Sequence, residues 1–290
     1  MVNHVFLRRR NQCCWMGKRG GVMERLVFLG TGDAMGVPRV YCECTICEEA
    51  RTNGINRRYR SLVSVEAERN QESQGNPADG EDGFLIDCGP DWRSAMERRG
   101  QRFAGRVLVT HAHFDHIGGL PEWADACRWL GRNGQLYAPQ EVLDTILRQY
   151  PWLDRNLDFH VVDHGVGLAG WSILGWKVNH GKNGYSFAYR LERNGFAWVY
   201  CPDSIALPPE QRRLLNGLDL LVLGTSFYYE TADFSTRSVY DVKEALELLR
   251  EIKPKRTVFT HMSHDIDLRR NYPLPEGVEF AETGLNITLC

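Results

Sequence analysis

The hexapeptide His111-Ala-His113-Phe-Asp115-His116 holds four potential metal ligands and follows the apolar run Val107–Thr110, whose composition is typical of a strand. Imidazole nitrogen and carboxylate oxygen suit Zn, Mn or Fe, and carboxylates favour the harder ions. A lone histidine in such a loop is most often a surface residue, but three histidines and an aspartate at this density indicate a site. The motif therefore predicts a two-metal centre, in which His111 and His113 bind one ion while Asp115 and His116 reach a second.

Three further potential ligands, His180, Asp203 and His261, each lie directly beyond an apolar run that is typical of a strand. Loops at strand ends carry function in layered folds. Taken singly, each has an ordinary explanation, namely a solvent-facing histidine or an aspartate that forms a turn before Ser204. Together they predict the remaining ligands of the two-metal centre.

A second cluster of potential ligands is Cys42-Glu-Cys44-Thr-Ile-Cys47, whose C-x-C-x2-C spacing lets one turn place three sulfurs around a single ion. Tetrahedral zinc needs a fourth ligand, and His264, which closely follows His261, is the candidate. The cluster predicts a structural zinc site that ties the loop after the first strand to the rim near His261. The alternative is a group of reduced thiols without a metal.

The composition is that of an ordinary globular protein, with 290 residues, 43% of them hydrophobic, and a formal net charge of −2. This charge provides no general attraction to nucleic acid or to a membrane surface, so we expect neither as a partner. The nine cysteines are odd in number and no apolar signal segment precedes them, which argues against a secreted, disulfide-bonded protein. No apolar run approaches the roughly 20 residues of a membrane span. We therefore predict a cytoplasmic protein.

One hydrolase domain is expected over residues 23–290, preceded by a flexible extension over 1–22, for which a basic targeting or binding arm is the alternative. Short apolar runs alternate with turn signals from Glu24 onward, and the apolar spacing over 239–251 predicts an amphipathic helix. This pattern favours α/β or α+β layers. The polar stretch 66–83 between two predicted strands is expected to be an exposed, mobile insert.

The ligand motif together with the strand-end residues resembles the metallo-β-lactamase superfamily from Glu24 to the C-terminus. The resemblance implies an α/β fold, a four-layered αβ/βα sandwich with the metals at one edge between the sheets. It implies one ion held by His111, His113 and His180, a second held by Asp115, His116 and His261, and Asp203 as the bridge. It further implies hydrolysis by a hydroxide activated by two divalent ions, Mn or Zn, with Asp115 and Asp203 as catalytic carboxylates and Asp87 orienting the metal loop.

Four segments narrow the resemblance: Leu29–Gly32, Gly36–Pro38, the cysteine cluster and Thr260–His264. Together they are similar to the phosphoribosyl cyclic phosphodiesterases of the phosphonate-degradation (carbon–phosphorus lyase) pathway. Members of that branch are dinuclear phosphodiesterases that carry a separate structural zinc and open 5-phosphoribosyl 1,2-cyclic phosphate to ribose 1,5-bisphosphate. The resemblance thus implies two active-site ions, one structural zinc held by Cys42, Cys44, Cys47 and His264, a small phosphorylated substrate and a homodimer.

The sequence departs from that branch in one respect. The branch has a further active-site histidine just before the helix that precedes the last metal strand, and the matching stretch 236–242 contains none. The candidates to replace it are Tyr228, Tyr229, Arg237 and Tyr240. Candidates to bind a substrate phosphate are Arg39, Lys182 and Arg237, each of which is equally explained as a solvated surface charge. The departure concerns the substrate rather than the class of reaction.

Two other functions compete with a small-molecule phosphodiesterase. An RNA-processing nuclease of the same fold would need a basic surface for the RNA backbone, and the predicted insert is acidic instead. A metal-bearing accessory protein without turnover, of the kind that acts in quinone-cofactor biosynthesis, would share the cysteine cluster. The convergence of seven potential ligands favours an enzyme over this last class.

Overall fold

The computed structural model of the protein describes residues 24–52, 54–67 and 83–290, and its strands form two seven-stranded sheets. The first sheet runs in the order β14-β1-β2-β3-β4-β5-β6 and the second in the order β13-β12-β11-β10-β9-β8-β7. In the first sheet the strands are β1 (Glu24–Gly30), β2 (Leu62–Ala67), β3 (Gly83–Ile86), β4 (Arg106–Leu108), β5 (Gly134–Ala138), β6 (Leu157–Val161) and β14 (Asn286–Leu289). In the second they are β7 (Val166–Leu168), β8 (Trp171–Asn179), β9 (Tyr185–Arg193), β10 (Phe196–Cys201), β11 (Leu220–Gly224), β12 (Arg256–Thr260) and β13 (Val278–Phe280).

Seven α-helices connect these strands within the described residues. They are α1 (Thr45–Thr52), α2 (Trp92–Arg99), α3 (Phe114–Ile117), α4 (Leu120–Leu130), α5 (Gln140–Gln149), α6 (Pro209–Arg212) and α7 (Val242–Ile252). One hydrophobic core joins side chains from both sheets and from the longer helices. Helices packed on two stacked sheets confirm the predicted α/β sandwich. None of the helices in the described ranges is long and apolar enough to cross a membrane.

The burial of the strands follows their sequences. Strand β11 reads Leu-Leu-Val-Leu-Gly and is buried throughout, as expected for a strand that pairs in parallel on both sides. Strand β8 instead alternates buried and exposed residues along most of its length, because one of its faces meets solvent. Helix α7 buries Val242, Ala245 and Leu248 on one face and begins with a capping box formed by Asp241 and Glu244.

The predicted extension 1–22 and most of the predicted insert lie outside the described residues. The ends of the insert are described, and they are parts of strands. Glu66 in β2 pairs with Gly83 in β3, so this hairpin is longer than the sequence analysis expected. The ladder continues because Glu66 accepts ion-pair contacts from two arginines, Arg25 and Arg99, which keep its carboxylate satisfied beside the strand.

A close backbone contact in the second sheet gives a first stability prediction. A Cβ atom at Gly224 in β11 would lie 1.6 Å from the carbonyl oxygen of Pro202, whereas a Cβ atom at Gly167 in β7 would meet nothing within 4 Å. We expect Gly224→Ala to lower the free energy of unfolding by about 1–3 kcal/mol through this overlap, and Gly167→Ala to have little effect. Chemical denaturation of both variants checks this, and equal stabilities would contradict it.

Candidate metal centres

The predicted ligands of the two-metal centre lie at the carboxyl ends of four strands. The loop of His111, His113, Asp115 and His116 follows β4, and its last part forms the short helix α3. His180 follows β8, Asp203 follows β10 and His261 follows β12. Strands β10, β11 and β12 are mutually parallel, so the residues beyond β10 and β12 emerge at the same edge of the sheet.

The metal loop is held by backbone contacts to the turn after β3. The amide of Cys88 donates to the carbonyl of His116 at 2.7 Å, and the amide of Gly119 donates to the carbonyl of Cys88 at 2.8 Å. A Cβ atom at Gly89 would lie 2.0 Å from the carbonyl oxygen of Asp115. Only a glycine permits this approach, and the close contact fixes where the loop leaves β4.

All seven predicted ligands converge into one cluster, the histidine centre. Their donor atoms form three groups, each within 4.8 Å: His111 with His113 and His180, Asp115 with His116 and His261, and Asp203 with His111 and His116. Asp203 connects the first two groups, since its Oδ1 is 3.6 Å from His180 Nε2 and 3.2 Å from His261 Nε2 while its Oδ2 is 3.0 Å from His116 Nε2. The structure thus brings the seven predicted residues together, with the carboxylate of Asp203 between the other two groups.

Buried polar atoms without partners test whether these residues suit metal ions. His116 Nε2, His261 Nε2 and Asp203 Oδ2 are buried and have no hydrogen-bond partner. A buried polar atom without a partner costs about 1–3 kcal/mol of folding free energy. These three atoms face one another, and a cation bound between them would give each of them a partner. Imidazole and carboxylate are also the ligand types that divalent transition metals take. The residues therefore fit divalent ions.

Three of the five histidines, His111, His116 and His180, are oriented by partners on Nδ1. Nδ1 of His116 lies 2.7 Å from Asp87 Oδ2, and Nδ1 of His180 lies 2.8 Å from the backbone carbonyl of Ser238. Nδ1 of His111 lies 3.0 Å from Thr110 Oγ1 and 3.2 Å from Ser186 Oγ. A proton on Nδ1 that is shared with an acceptor leaves Nε2 free as a ligand atom, which is how metal-binding histidines are usually held.

The electrostatics of the cluster follow from its burial. Burial lowers the pKa of His111 well below its ordinary value, so this ring is neutral and can bind a cation. Burial alone would also lower the pKa of His116, but the carboxylates of Asp115, Asp87 and Asp203 outweigh it and raise that pKa. His116 and His261 lower the pKa values of Asp115 and Asp203 against the opposing effect of burial, so both carboxyl groups are ionised.

Backbone strain marks two residues of the centre. Asp87 has φ of 67° and His261 has φ of 57°, in the left-handed region that residues with a Cβ rarely adopt. Such conformations cost on the order of 1–3 kcal/mol each and concentrate at functional sites. His261 is held in this geometry by hydrogen bonds of the two residues that follow it, because Met262 N donates to Thr31 O and Ser263 N donates to Ser226 O.

The contact between Asp87 and the ligand His116 gives a prediction about metal affinity. Besides His116, Asp87 accepts hydrogen bonds from the amide and the hydroxyl of Thr110, so it couples the start of the metal loop to a ligand. Asp87→Asn should lower the metal affinity of the histidine centre by about 10–100-fold, measured by competition with a chelator. Asp91→Asn is the matched control, because Asp91 pairs with Arg60 outside the metal loop. Equal affinities of the two variants would contradict the orienting role.

The cysteine cluster is also assembled. His264 Nδ1 lies 3.3 Å from Cys42 Sγ, 3.5 Å from Cys44 Sγ and 3.4 Å from Cys47 Sγ, distances at which four ligand atoms surround a single point. Burial raises the pKa of Cys47 to about 11, so its thiol is neutral at neutral pH unless a cation is bound. Three sulfurs and one imidazole nitrogen match a closed structural zinc site.

The residues proposed for the missing histidine or for substrate phosphate are mostly occupied elsewhere. Arg237 is buried among carboxylates, so its expected role as a phosphate ligand is not supported. Arg39 pairs with Asp33 at 2.7 Å, beside the cysteine cluster. The hydroxyl of Tyr240 accepts a hydrogen bond from the amide of Leu207.

The remaining candidates lie nearer the surface. The backbone amide of Tyr228 donates to Asp265, and its ring packs on Tyr272. Tyr229 is exposed, and Lys182 is exposed in the turn after His180. Of the candidates for the histidine's place, only Tyr229 therefore has a side chain largely open to solvent.

Comparison with known proteins gives one family match. The family model described as the Beta-lactamase superfamily domain matches residues 83–262, which are more than half of the chain. The matched range contains all seven residues of the histidine centre and excludes the four residues of the cysteine cluster. The structure of a diphosphatase from the PhnP family has a TM-score of 0.77 and 27% sequence identity to the chain, covering 92% of this chain and 99% of that one.

Curated relatives carry different names. An octanoyltransferase of Porphyromonas gingivalis is 25% identical over 259 residues, which are 86% of this chain but 48% of that protein, so the chain spans about half of its length. Coenzyme PQQ synthesis protein B of Methylococcus capsulatus is 26% identical over 314 residues, covering 90% of this chain and 98% of that protein. A ribonuclease Z of Agathobacter rectalis is 28% identical over 123 residues, covering 39% of this chain and 40% of that protein.

Proposed function

The chain belongs to the β-lactamase superfamily, and from this premise we propose that it is a metal-dependent phosphodiesterase acting on a small, cyclic phosphodiester such as 5-phosphoribosyl 1,2-cyclic phosphate. The observation that carries the proposal is the convergence of two ligand triplets joined by Asp203, with buried donor atoms that lack partners. The likeness to a diphosphatase of the PhnP family supports chemistry at phosphorus over other hydrolytic reactions.

Two ions would be held by the two triplets, and Mn or Zn are the proposed metals. One triplet is His111, His113 and His180, and the other is Asp115, His116 and His261, with Asp203 between them. Divalent ions in such a site polarise phosphoryl oxygens and lower the pKa of a bound water. A third ion, zinc, is proposed for the cysteine cluster, where it would have a structural role.

The protein's own contribution is to hold negative charge at fixed positions. Asp203 is buried, and His261 and His116 lower the pKa of its carboxyl group against the opposing effect of burial, so it is ionised and is proposed to hold negative charge between the two triplets. Asp115 Oδ2 lies 3.1 Å from His116 Nε2 and 3.5 Å from His261 Nε2, which places its negative charge between two rings. Both carboxylates are thus proposed as catalytic residues. A homodimer, implied by the resemblance, belongs to the same proposal.

The substrate class is tested by a panel assayed with protein of known metal content. We expect rapid hydrolysis of 5-phosphoribosyl 1,2-cyclic phosphate to ribose 1,5-bisphosphate, monitored by phosphorus NMR. Hydrolysis of bis-p-nitrophenyl phosphate should be slower. A dinucleoside diphosphate tests the anhydride chemistry that the name of the structural neighbour suggests. Turnover of the anhydride alone would reject the proposal that the natural substrate is a phosphodiester. If none of the three compounds is hydrolysed, the proposal that the protein is a phosphodiesterase is rejected.

A ribonuclease is the second candidate, because a ribonuclease Z is among the relatives. A short single-stranded RNA and a tRNA with a 3′ extension are the discriminating substrates. Cleavage of the tRNA precursor faster than of the cyclic sugar phosphate would favour the nuclease. An accessory protein without turnover is the third candidate, because one relative is named for coenzyme PQQ synthesis. Hydrolysis of bis-p-nitrophenyl phosphate by metal-loaded protein would exclude that class.

A further inference from the structure

The segment 237–241, which leads into α7, contacts two separate parts of the histidine centre through its backbone. The carbonyl of Ser238 accepts the hydrogen bond from Nδ1 of His180 at 2.8 Å. The amide of Tyr240 donates to the carbonyl of Ser204, next to Asp203, at 2.9 Å. Because the same few residues reach both ligand loops, a shift of this segment would move His180 and the turn of Asp203 together.

The turn that carries His180 also packs directly on the segment. The amide of Lys182 donates to the carbonyl of Arg237 at 3.1 Å. Gly181 has φ of 55°, and a Cβ atom there would lie 2.0 Å from the same carbonyl oxygen. The position of the Arg237 backbone therefore sets the position of the turn that carries His180.

The side chain of Arg237 anchors this backbone through three carboxylates. Its Nε donates to Glu230 Oε2 at 3.1 Å and its Nη1 donates to Glu244 Oε1 at 2.9 Å, while Nη2 pairs with Glu244 Oε2 and lies 3.6 Å from Asp241 Oδ2. The bidentate pair with Glu244 requires the planar fork of arginine. Arg237 is only 7% exposed, so the guanidinium depends on these partners for its polar contacts.

The partners of Arg237 are themselves fixed by the start of α7. Asp241 Oδ1 accepts from the amide of Glu244, and the carboxylate of Glu244 accepts from the amide of Asp241. Asp241 Oδ2 accepts from the amide of Glu230 at 3.0 Å. The capping box thus holds two of the carboxylates where they meet Arg237, so the helix start and the ligand loops form one connected network.

On the basis of the proposed function, we propose that Arg237 is a positioning residue for the histidine centre, which fixes segment 237–241 against Glu230, Asp241 and Glu244 and thereby orients His180 and the turn of Asp203. In this role Arg237 takes no part in binding the substrate phosphate. Its guanidinium nitrogens contact protein carboxylates, so a substrate anion would have to displace a buried ion pair.

The test compares metal affinity in Arg237→Gln, Arg237→Lys and a control. Arg250→Gln is the control, because Arg250, which lies on α7, also pairs with a glutamate, Glu247, but at the exposed surface. We expect Arg237→Gln to lower the zinc affinity of the histidine centre by about 10–100-fold, as loss of a ligand's orienting partner does. Arg237→Lys, which keeps the charge but not the fork, should fall between, and Arg250→Gln should match the unchanged protein.

The zinc of the cysteine cluster reports whether a variant is folded. We expect Arg237→Gln to keep that zinc during titration with a chelator while it loses metal from the histidine centre early. With excess metal its kcat for bis-p-nitrophenyl phosphate should recover while KM stays unchanged, because the substrate contacts are intact. Unchanged metal affinity, or a raised KM that excess metal does not correct, would overturn the positioning role. If Arg237→Gln fails to fold, Arg237→Lys decides by the same criteria.

The outcomes separate this inference from the proposed function. If the unchanged protein binds no metal beyond the cysteine-bound zinc, the proposed function fails and the positioning role fails with it. If the unchanged protein binds metal and hydrolyses the diester while Arg237→Gln behaves identically, only the role of Arg237 is rejected.

Discussion

Replacing Asp115 with alanine is expected to remove one ion from the histidine centre and to lower kcat for bis-p-nitrophenyl phosphate by at least about a thousandfold, more than the 10–100-fold typical of a residue that only orients a ligand. The physical reason is that Asp115 supplies the negative charge between His116 and His261, at 3.1 and 3.5 Å from their Nε2 atoms. Without it, one ligand and one compensating charge are lost from a buried site.

Metal analysis and steady-state kinetics on the same preparation check this prediction. Asp125→Ala is the control, because Asp125 is an exposed carboxylate on α4, a short distance along the chain. It should retain both the metal content and kcat of the unchanged protein. An Asp115→Ala protein with full activity would remove Asp115 from the catalytic machinery and reject the second ion.

The second large effect is expected at the cysteine cluster. Val37, Cys47 and Ala50 form a small hydrophobic cluster that is separate from the main core. Because so little apolar surface is buried there, a bound zinc would supply most of the free energy that stabilises the segment 33–52, as it does in small metal-dependent domains. Cys44→Ser should therefore lose one zinc per chain and lower Tm by on the order of 10 °C.

Metal analysis, thermal unfolding and limited proteolysis measure that effect. We expect new cleavage within residues 33–52, since local unfolding of this segment leaves the main core in place. Cys290→Ser, at an exposed cysteine far along the sequence from the cluster, is the control and should change neither zinc content nor Tm. If Cys44→Ser keeps all its zinc and its Tm, the cluster is a group of reduced thiols, the alternative left by the sequence.

Strong local patterns predicted the elements that the structure confirms. Helix α7 covers Val242–Ile252, where the apolar spacing over 239–251 predicted an amphipathic helix, and β12 ends at Thr260, directly before His261, where a strand was expected. Strand β14 was not predicted, because its four residues gain their order from pairing with β1 at the opposite end of the sequence. Helix α5 was also missed, although its buried residues Val142, Leu143 and Ile146 stand at the i, i+1, i+4 spacing of an amphipathic helix.

The site was predictable where side-chain chemistry identifies a ligand. His180, Asp203 and His261 follow apolar strands, and the structure places each beside the metal loop. The acceptor for His180 is the backbone carbonyl of Ser238, which has no signature in the sequence because every residue carries a carbonyl. Arg237 was one of three candidates for the substrate phosphate, and its carboxylate partners could not be predicted because the folded start of α7 assembles them.

Hydrolysis of bis-p-nitrophenyl phosphate by protein of measured metal content tests the central proposal most directly. We predict that protein with close to three ions per chain is active, that removal of the two more labile ions abolishes turnover, and that adding back Zn or Mn restores it in proportion to occupancy of the histidine centre. Turnover that is equal before and after removal of these ions, or no turnover at full occupancy, would contradict a dinuclear metal-dependent phosphodiesterase.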